Sequence, residues 1–244
     1  MFVASSDSFE VRVAGKSDIG RKRGNNQDSF LVNENWRLFS VADGMGGHSG
    51  GEVASAMAVR TLEKVFQEMK DSSVAQKLHE AFRICNKVIY DQSQANPRLH
   101  GMGTTMTAAA VDGNYVHIAQ VGDSRCYLYR DGEVFQLTED HSQVYELLKA
   151  GIISEENMGS VQKNVITRSV GYEEHVQIDV FTRIAESGDR YLICSDGLSG
   201  MVTSQQMARI LQNFDVDDAV GNLVDLANLQ GGEDNISVIV FELK

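Results

Sequence analysis

The sequence of 244 residues has one proline and three cysteines, and it contains no long apolar run. The cysteines, Cys85, Cys126 and Cys194, lie far apart, and their odd number and spacing argue against a disulfide framework or a zinc site. No segment approaches the roughly 18 consecutive apolar residues of a membrane-spanning helix, and the first ten residues lack the pattern of a secretory signal. We therefore expect reduced thiols, a cytoplasmic location and no membrane partner.

Positive charge is also scarce, since 22 Lys and Arg residues stand against 34 Asp and Glu residues, for a formal net charge of −12. A surface that binds nucleic acid needs clustered cationic side chains, so we expect no nucleic-acid partner. An acidic surplus is typical of a soluble protein, and it would also arise if several carboxylates converged on a metal site. Composition alone leaves both interpretations open.

Hydrophobic periodicity and turn signals predict an α+β fold. Regular alternation of strand and helix is absent, which favours antiparallel sheets covered by helices over a doubly wound parallel sheet. No linker or repeat divides the chain, so we expect a single domain over residues 1–244. The predicted strands cover residues 9–14, 37–42, 104–111, 115–121, 126–130, 133–137, 176–184, 190–194 and 236–242, and the predicted helices cover 53–69, 74–89, 142–150, 204–212 and 216–229.

Four aspartates stand at the ends of predicted core strands. Asp43 and Asp196 each follow an apolar strand and precede a glycine, Asp123 lies between two strands, and Asp234 directly precedes the last one. Each alone would be an ordinary turn residue. If the strands are neighbours, however, the four carboxylates would meet and repel unless cations lay between them. Oxygen ligands favour Mg²⁺ or Mn²⁺, and two such ions about 4 Å apart can activate a water and neutralise a phosphate.

A basic segment, Arg21-Lys22-Arg23, precedes the polar residues that lead to Asp28. Guanidinium groups present paired donors that match two phosphate oxygens, so an arginine here could hold a phosphate dianion. Taken alone, the segment is more typical of a solvated loop.

Together these segments resemble the metal-dependent protein phosphatases of the PP2C (PPM) type, and most closely the small bacterial members that oppose serine/threonine kinases. The resemblance implies two antiparallel sheets packed as a sandwich and flanked by pairs of helices. The matching segments run in the same order from Ser17 to Val240: Ser-Asp-Ile-Gly at 17–20, Arg-Gly-Asn-Asn-Gln-Asp at 23–28, Ala-Asp-Gly-Met-Gly-Gly-His at 42–48, Gly-Thr-Thr at 103–105, Val-Gly-Asp-Ser-Arg at 121–125, Leu-Thr-Glu-Asp-His-Ser at 137–142, Cys-Ser-Asp-Gly-Leu at 194–198 and Glu-Asp-Asn-Ile-Ser at 233–237.

The resemblance implies a set of metal ligands. Asp43 would bridge two central ions, Mn²⁺ or Mg²⁺, and the backbone carbonyl of Gly44 would be a further ligand. Asp196 and Asp234 would complete the ligands of the second ion, while Asp123 would hold a weaker third ion.

The resemblance also implies a phosphate contact and a flap. Arg23 matches the family's phosphate-binding arginine, and Asp28 would support the waters on the metal ions. Residues 142–171 correspond to a variable flap beside the active site, which in the family influences the choice of substrate.

Two positions depart from the family pattern. Gln27 stands where many relatives have a glutamate, and Met45 stands where animal relatives carry a histidine proposed as the general acid. His48 is the nearest substitute, because a histidine could protonate a leaving alkoxide near neutral pH. It could equally cap the following helix or face solvent, in which case metal-bound water would be the acid.

The expected function is metal-dependent hydrolysis of phosphoserine and phosphothreonine in proteins, with a water bridging the two ions as nucleophile. The expected partners are phosphorylated proteins, including a bacterial Ser/Thr kinase and its targets. The alternative is a catalytically weak module of the same fold that binds or regulates. A cysteine phosphatase is excluded because no cysteine shows the Cys-x5-Arg spacing, and a Gly-Asp-Ser serine hydrolase lacks its Asp-x-x-His pair.

Overall fold

A computed structural model of the chain describes residues 9–46, 50–154, 157 and 165–244. Its strands are β1 Val11–Asp18, β2 Asp28–Asn33, β3 Leu38–Met45, β4 Gly103–Thr104, β5 Met106–Asp112, β6 Tyr115–Val121, β7 Arg125–Arg130, β8 Glu133–Gln136, β9 Asp179–Ile184, β10 Arg190–Cys194 and β11 Ile236–Leu243. Its helices are α1 Gly50–Glu68, α2 Val74–Ala95, α3 Gln143–Lys149, α4 Asp196–Ser199, α5 Ser204–Asn213 and α6 Val216–Leu229, with a 3-10 turn at Pro97–Leu99.

The strands form two antiparallel sheets. One has the order β1-β11-β10-β7-β8, and the other has the order β2-β3-β5-β6-β9 with β4 paired to the end of β3. Strand β1 pairs with β11 along all of its length, from Val11 opposite Leu243 to Asp18 opposite Ile236. The start and the end of the described chain are therefore joined in one sheet.

The two sheets pack face to face, because alternate residues of each strand point to opposite sides. On β3, Phe39 and Val41 enter the core between the sheets, while Leu38 and Ala42 face helices α1 and α2. On β11 the odd positions enter the same core, and the even positions face α5 and α6. The layers are therefore helix, sheet, sheet, helix.

Aromatic rings fill the centre of the sandwich. The Phe241 ring stacks on Tyr191 with centroids 4.9 Å apart and packs against Phe39 at 4.8 Å. All three residues are fully buried. Such ring pairs add to the stabilisation that burial of apolar surface provides.

The helices begin where the sequence supplies capping residues. The Ser73 hydroxyl accepts a hydrogen bond from the Gln76 backbone amide at the start of α2, and the Gln76 side-chain oxygen accepts one from the Ser73 backbone amide. The pair Thr203 and Gln206 does the same for α5. These capping boxes satisfy amides that the first helical turn leaves without partners.

The predicted α+β class, with two antiparallel sheets packed as a sandwich, is confirmed. Strand β2 lies where no strand is expected, because it is an edge strand whose residues are mostly half-buried and do not alternate clearly. Strand β1 continues to Asp18, beyond the expected end at residue 14, because β11 pairs with its whole length. None of the described helices is long and apolar enough to cross a membrane.

Phe241→Ala should lower the free energy of unfolding by about 3–5 kcal/mol, because it leaves a cavity between the two sheets. Urea unfolding followed by circular dichroism measures the change. Phe135→Ala is the matched control, since Phe135 lies on edge strand β8 and is 47% exposed. Similar losses in both variants would contradict the position of the core.

Candidate metal centre

Five aspartates converge at one end of the sandwich. Asp28 begins β2 and Asp43 lies near the end of β3, and the two residues are direct partners in the register of these strands. Asp196 follows β10, Asp123 lies between β6 and β7, and Asp234 precedes β11. Asp43, Asp123, Asp196 and Asp234 line one cavity of about 770 Å³. The structure thus brings together the four aspartates that the sequence places at strand ends.

Burial and mutual repulsion raise the pKa values of four of these carboxyl groups, those of Asp28, Asp43, Asp123 and Asp196. Burial raises the pKa of Asp28 to about 7, with the charges of Asp196 and Asp234 adding to the shift, although a hydrogen bond from Ser195 opposes it. Burial likewise raises the pKa of Asp123 to about 7. The pKa of Asp43 lies well above its ordinary value and that of Asp196 is also raised, in each case chiefly through burial. Without cations, the site resists carrying its full negative charge.

Several carboxylate oxygens of the cluster lack partners. One buried oxygen on each of Asp28, Asp123 and Asp196 makes no hydrogen bond among the described residues. A buried polar atom without a partner is costly unless something else satisfies it. A divalent cation, together with the waters that it carries, would satisfy these oxygens and relieve the repulsion between them, so the donor set fits Mg²⁺ or Mn²⁺.

The described side chains do not form a complete cage. Among them, no three acidic, histidine or cysteine groups are close enough to hold one ion unaided. Mg²⁺ sites commonly use one or two carboxylates and keep several waters. The arrangement therefore fits an ion whose remaining ligands are backbone and solvent oxygens.

The glycines that follow Asp43 and Asp196 are required by close packing of backbone. A Cβ atom on Gly44 would lie 2.0 Å from the carbonyl oxygen of Gly51, at the start of α1. A Cβ atom on Gly197 would lie 2.0 Å from the carbonyl oxygen of Asn235. Any side chain would force these segments apart and move the neighbouring aspartates.

Arg23 lies at the same cavity and is half exposed. Its Nη2 atom donates to Asp234 Oδ2 at 2.6 Å. This hydrogen bond raises the pKa of the guanidinium group, and the charges of Asp43 and Asp196 add to the shift. An arginine in this position presents positive charge to an anion that enters the cavity.

Two polar residues that sequence reasoning missed hold the site together. Ser195 Oγ donates to Asp28 Oδ2 at 2.8 Å and accepts from the Ser237 amide at 2.9 Å. Asn235 Oδ1 accepts from the Gln27 amide, and its Nδ2 donates to two carbonyl oxygens of the loop that carries Arg23. Each residue is adjacent to an aspartate in a matching motif, which is the signal that could have revealed it.

A second cavity, of about 600 Å³, shares Asp123, Asp196 and Asp234 with the first. Its wall includes the ion pair of Arg125 and Asp140, in which Nη2 lies 2.6 Å from the carboxylate. The carboxylate cluster is therefore bordered by open space from two directions.

Two of the sequence predictions fall partly or wholly outside the described residues. His48 is not among them, and neither are residues 155–156 and 158–164 of the predicted flap. The described parts of the flap include α3 and the segment 165–169, which lines the larger cavity. The segment contributes Arg168, a cavity residue that sequence reasoning missed.

The model of the family described as protein phosphatase 2C matches residues 14–223. The chain belongs to this family.

It is 41% identical over 236 residues to the serine/threonine phosphatase stp of Listeria monocytogenes, a match that covers 93% of this chain and 94% of that protein. It is 40% identical over 234 residues to the serine/threonine protein phosphatase PstP of Mycobacterium tuberculosis. That match covers 96% of this chain but 45% of PstP, so the chain spans about half the length of this relative.

Solved structures of the family share the architecture. The crystal structure of the Mycobacterium tuberculosis phosphatase PstP/Ppp has a TM-score of 0.90 at 39% identity, and it covers 96% of this chain and 99% of that one. A structure of the catalytic domain of PstP in complex with two manganese ions has a TM-score of 0.88 at 39% identity, covering 96% and 98%.

The metal-free protein should lose stability as the pH rises from about 4 to above 7. In this window the folded state holds protons on Asp28 and Asp123 that the unfolded chain has already released, because the folded pKa values are about 7. Stability then falls with pH, by at least ~2 kcal/mol in all. Unfolding in urea with a chelator present, at pH 5 and pH 8, measures the change.

Saturating Mn²⁺ should stabilise the protein most at pH 8, where the carboxylates are ionised. Asp123→Asn should weaken the pH dependence of the free energy of unfolding of the metal-free protein. The control Asp71→Asn, a change at an exposed position, should not alter this pH dependence. Stability of the metal-free protein that stays constant or rises over this window would contradict the carboxylate repulsion.

Proposed function

We propose that this chain hydrolyses phosphoserine and phosphothreonine in proteins and depends on divalent metal ions for this activity. The observation that supports the proposal most is that Arg23 shares one open cavity with Asp123 and Asp196, each of which has a buried oxygen without a partner among the described residues. An anion-binding group and a cation-binding cluster side by side are what phosphate hydrolysis needs. The names of the family relatives, as serine/threonine phosphatases, support the same class of substrate.

The proposed ligands of the core ions are Asp43, Asp196, Asp234 and the Gly44 carbonyl, with Asp123 for a weaker third ion. When bound, two Mn²⁺ or Mg²⁺ ions supply a nucleophile at neutral pH and neutralise the charge of the phosphate. The structure of PstP with two manganese ions supports Mn²⁺ in particular. The alternative of a catalytically weak binding module is not favoured, because each of these aspartates is present and lines the cavity.

Arg23 binds the phosphate in this scheme. Its guanidinium group already lies against Asp234, so it is held at the cavity by a charged hydrogen bond before substrate arrives. The remaining N–H donors are available to two phosphate oxygens. They stabilise the charge that these oxygens carry as the ester bond breaks.

Asp28 is proposed to orient a water at the metal site. Ser195 occupies Oδ2 of this carboxylate, which fixes the orientation of the group and leaves Oδ1 as the acceptor. A water at the metal site would donate to Oδ1 and would be oriented by it. His48 is the proposed proton donor to the leaving alkoxide, and a water at the metal site is the alternative.

We further infer one catalytic domain over the whole chain and a cytoplasmic location. The pairing of β1 with β11 supports the first, because it ties the two ends of the described chain into one sheet. The buried, unpaired thiols of Cys85, Cys126 and Cys194 support the second. The proposed partners are phosphorylated proteins, including a Ser/Thr kinase and its targets.

Arg23→Ala should raise KM for a phosphothreonine peptide about 10–100-fold, because a charged hydrogen bond to phosphate is lost. Lys22→Ala is the matched control, since it removes a neighbouring exposed positive charge and should leave KM within about threefold. Steady-state release of phosphate in the presence of Mn²⁺ measures both.

The same assay tests the function itself. Wild-type protein should release phosphate from the peptide with Mn²⁺ or Mg²⁺ and stop when a chelator is added. A wild-type protein that releases none with either ion would refute the proposed activity, and equal effects of the two substitutions would refute the role of Arg23.

A further inference from the structure

His141 is a buried histidine outside the carboxylate cluster. It lies between Asp140 and the start of α3, and its side chain is 5% exposed. Both ring nitrogens have partners. Nδ1 accepts a hydrogen bond from the Gly122 amide at 3.1 Å, and Nε2 lies 3.0 Å from Asp179 Oδ2. The residue therefore connects a turn between two strands with the start of β9.

These partners settle where the ring carries its proton. A backbone N–H can only donate, so Nδ1 must be unprotonated, and the single proton of the neutral ring is on Nε2. Nε2 then donates to Asp179 Oδ2. Burial agrees with this form, because it lowers the pKa of His141, and the nearby charge of Arg168 lowers it further.

The same assignment orients Arg168. Its Nη1 atom lies 3.2 Å from His141 Nε2 and 3.3 Å from Asp179 Oδ1. Because both Nη1 and the protonated Nε2 are donors, no hydrogen bond can form between them. The guanidinium group is therefore held by Asp179, whose other oxygen is held by His141. Arg168 lines the larger cavity, as does its neighbour Thr167.

His141 also contacts the turn that carries Asp123, through Nδ1 of its ring and through its backbone amide. The His141 amide donates to the Gly122 carbonyl oxygen at 2.9 Å, so Gly122 is bonded on both its N–H and its C=O. Gly122 has a φ of +105°, and a Cβ atom there would lie 2.6 Å from Thr105 Cβ. The turn is thus confined by packing on one side and by His141 on the other.

The backbone of His141 reaches the flap segment as well. Its carbonyl oxygen accepts from the Thr167 amide at 2.9 Å, and Ser142 forms a β-bridge with Ile166. One residue therefore bonds both to the Gly122 turn and to the segment that carries Arg168.

We propose that His141 is a positioning residue that serves two parts of the site with its two ring nitrogens. Through Nδ1 it fixes the turn that presents Asp123 to a divalent cation. Through Nε2 and Asp179 it fixes Arg168 in the cavity wall, where the guanidinium group contacts the phosphorylated peptide. This inference rests on the proposed function.

Two substitutions separate these contributions. The amide of asparagine reaches about as far as Nδ1 of histidine, and the amide of glutamine reaches about as far as Nε2. His141→Asn keeps an acceptor for the Gly122 amide but loses the donor to Asp179. His141→Gln keeps a donor to Asp179 but loses the acceptor.

The readouts are Mn²⁺ affinity of the metal-free protein by titration calorimetry, and KM for a phosphothreonine peptide and for para-nitrophenyl phosphate. His141→Asn should keep the Mn²⁺ affinity and raise the peptide KM about tenfold, with little change for the small ester. His141→Gln should weaken the weakest Mn²⁺ site about tenfold and leave the peptide KM near that of wild type.

Asp179→Asn is a second test of the contact with Arg168. Asp179 is partly exposed, and asparagine keeps an acceptor for Nε2 of His141. It should raise the peptide KM without altering Mn²⁺ affinity. Parallel losses of both properties in both His141 variants, with a lowered melting temperature, would overturn the proposal, as would wild-type values throughout. Absence of phosphatase activity in the wild type would instead refute the proposed function, while the calorimetry would still test the Nδ1 contact.

Discussion

Repulsion between buried carboxylates is the constraint on which the site depends. Asp28, Asp43, Asp123 and Asp196 lie largely buried at one end of the sandwich, and their pKa values are raised because the charged forms are poorly stabilised there. A protein keeps such a cluster only if something bound to the folded state compensates for it. The proposed divalent cations would do so, and their charge would then attract phosphate.

The surrounding structure keeps the carboxylates together despite this repulsion. The aspartates lie on or beside the ends of strands that belong to both sheets, and the packing of Phe39, Tyr191 and Phe241 holds these two sheets together. The backbone packs so closely against Gly44 and Gly197 that neither position has room for a side chain. Ser195, after β10, and Asn235, before β11, are hydrogen-bonded to the Arg23–Asp28 loop. Stability of the sandwich is in this way linked to the geometry of the site.

The sequence revealed the aspartates because the chemistry of a metal site demands a residue type in a recognisable setting. Asp43 and Asp196 follow apolar strands and precede glycine, and this local pattern survives in the fold. Strand β2 was not predicted, because it forms through its pairing with β3 and its own sequence does not show a strand pattern. The roles of His141 and Arg168 were not predicted either, because they depend on contacts with Gly122 and Asp179, which are distant in the sequence.

Equilibrium dialysis of the metal-free protein against Mn²⁺ at neutral pH tests most directly whether the carboxylate cluster binds cations. The wild type should bind about two ions tightly, and Asp43→Asn should lose both, because Asp43 is the ligand expected to be shared between them. Unchanged binding of Mn²⁺ by Asp43→Asn, or no binding by the wild type, would contradict the metal centre.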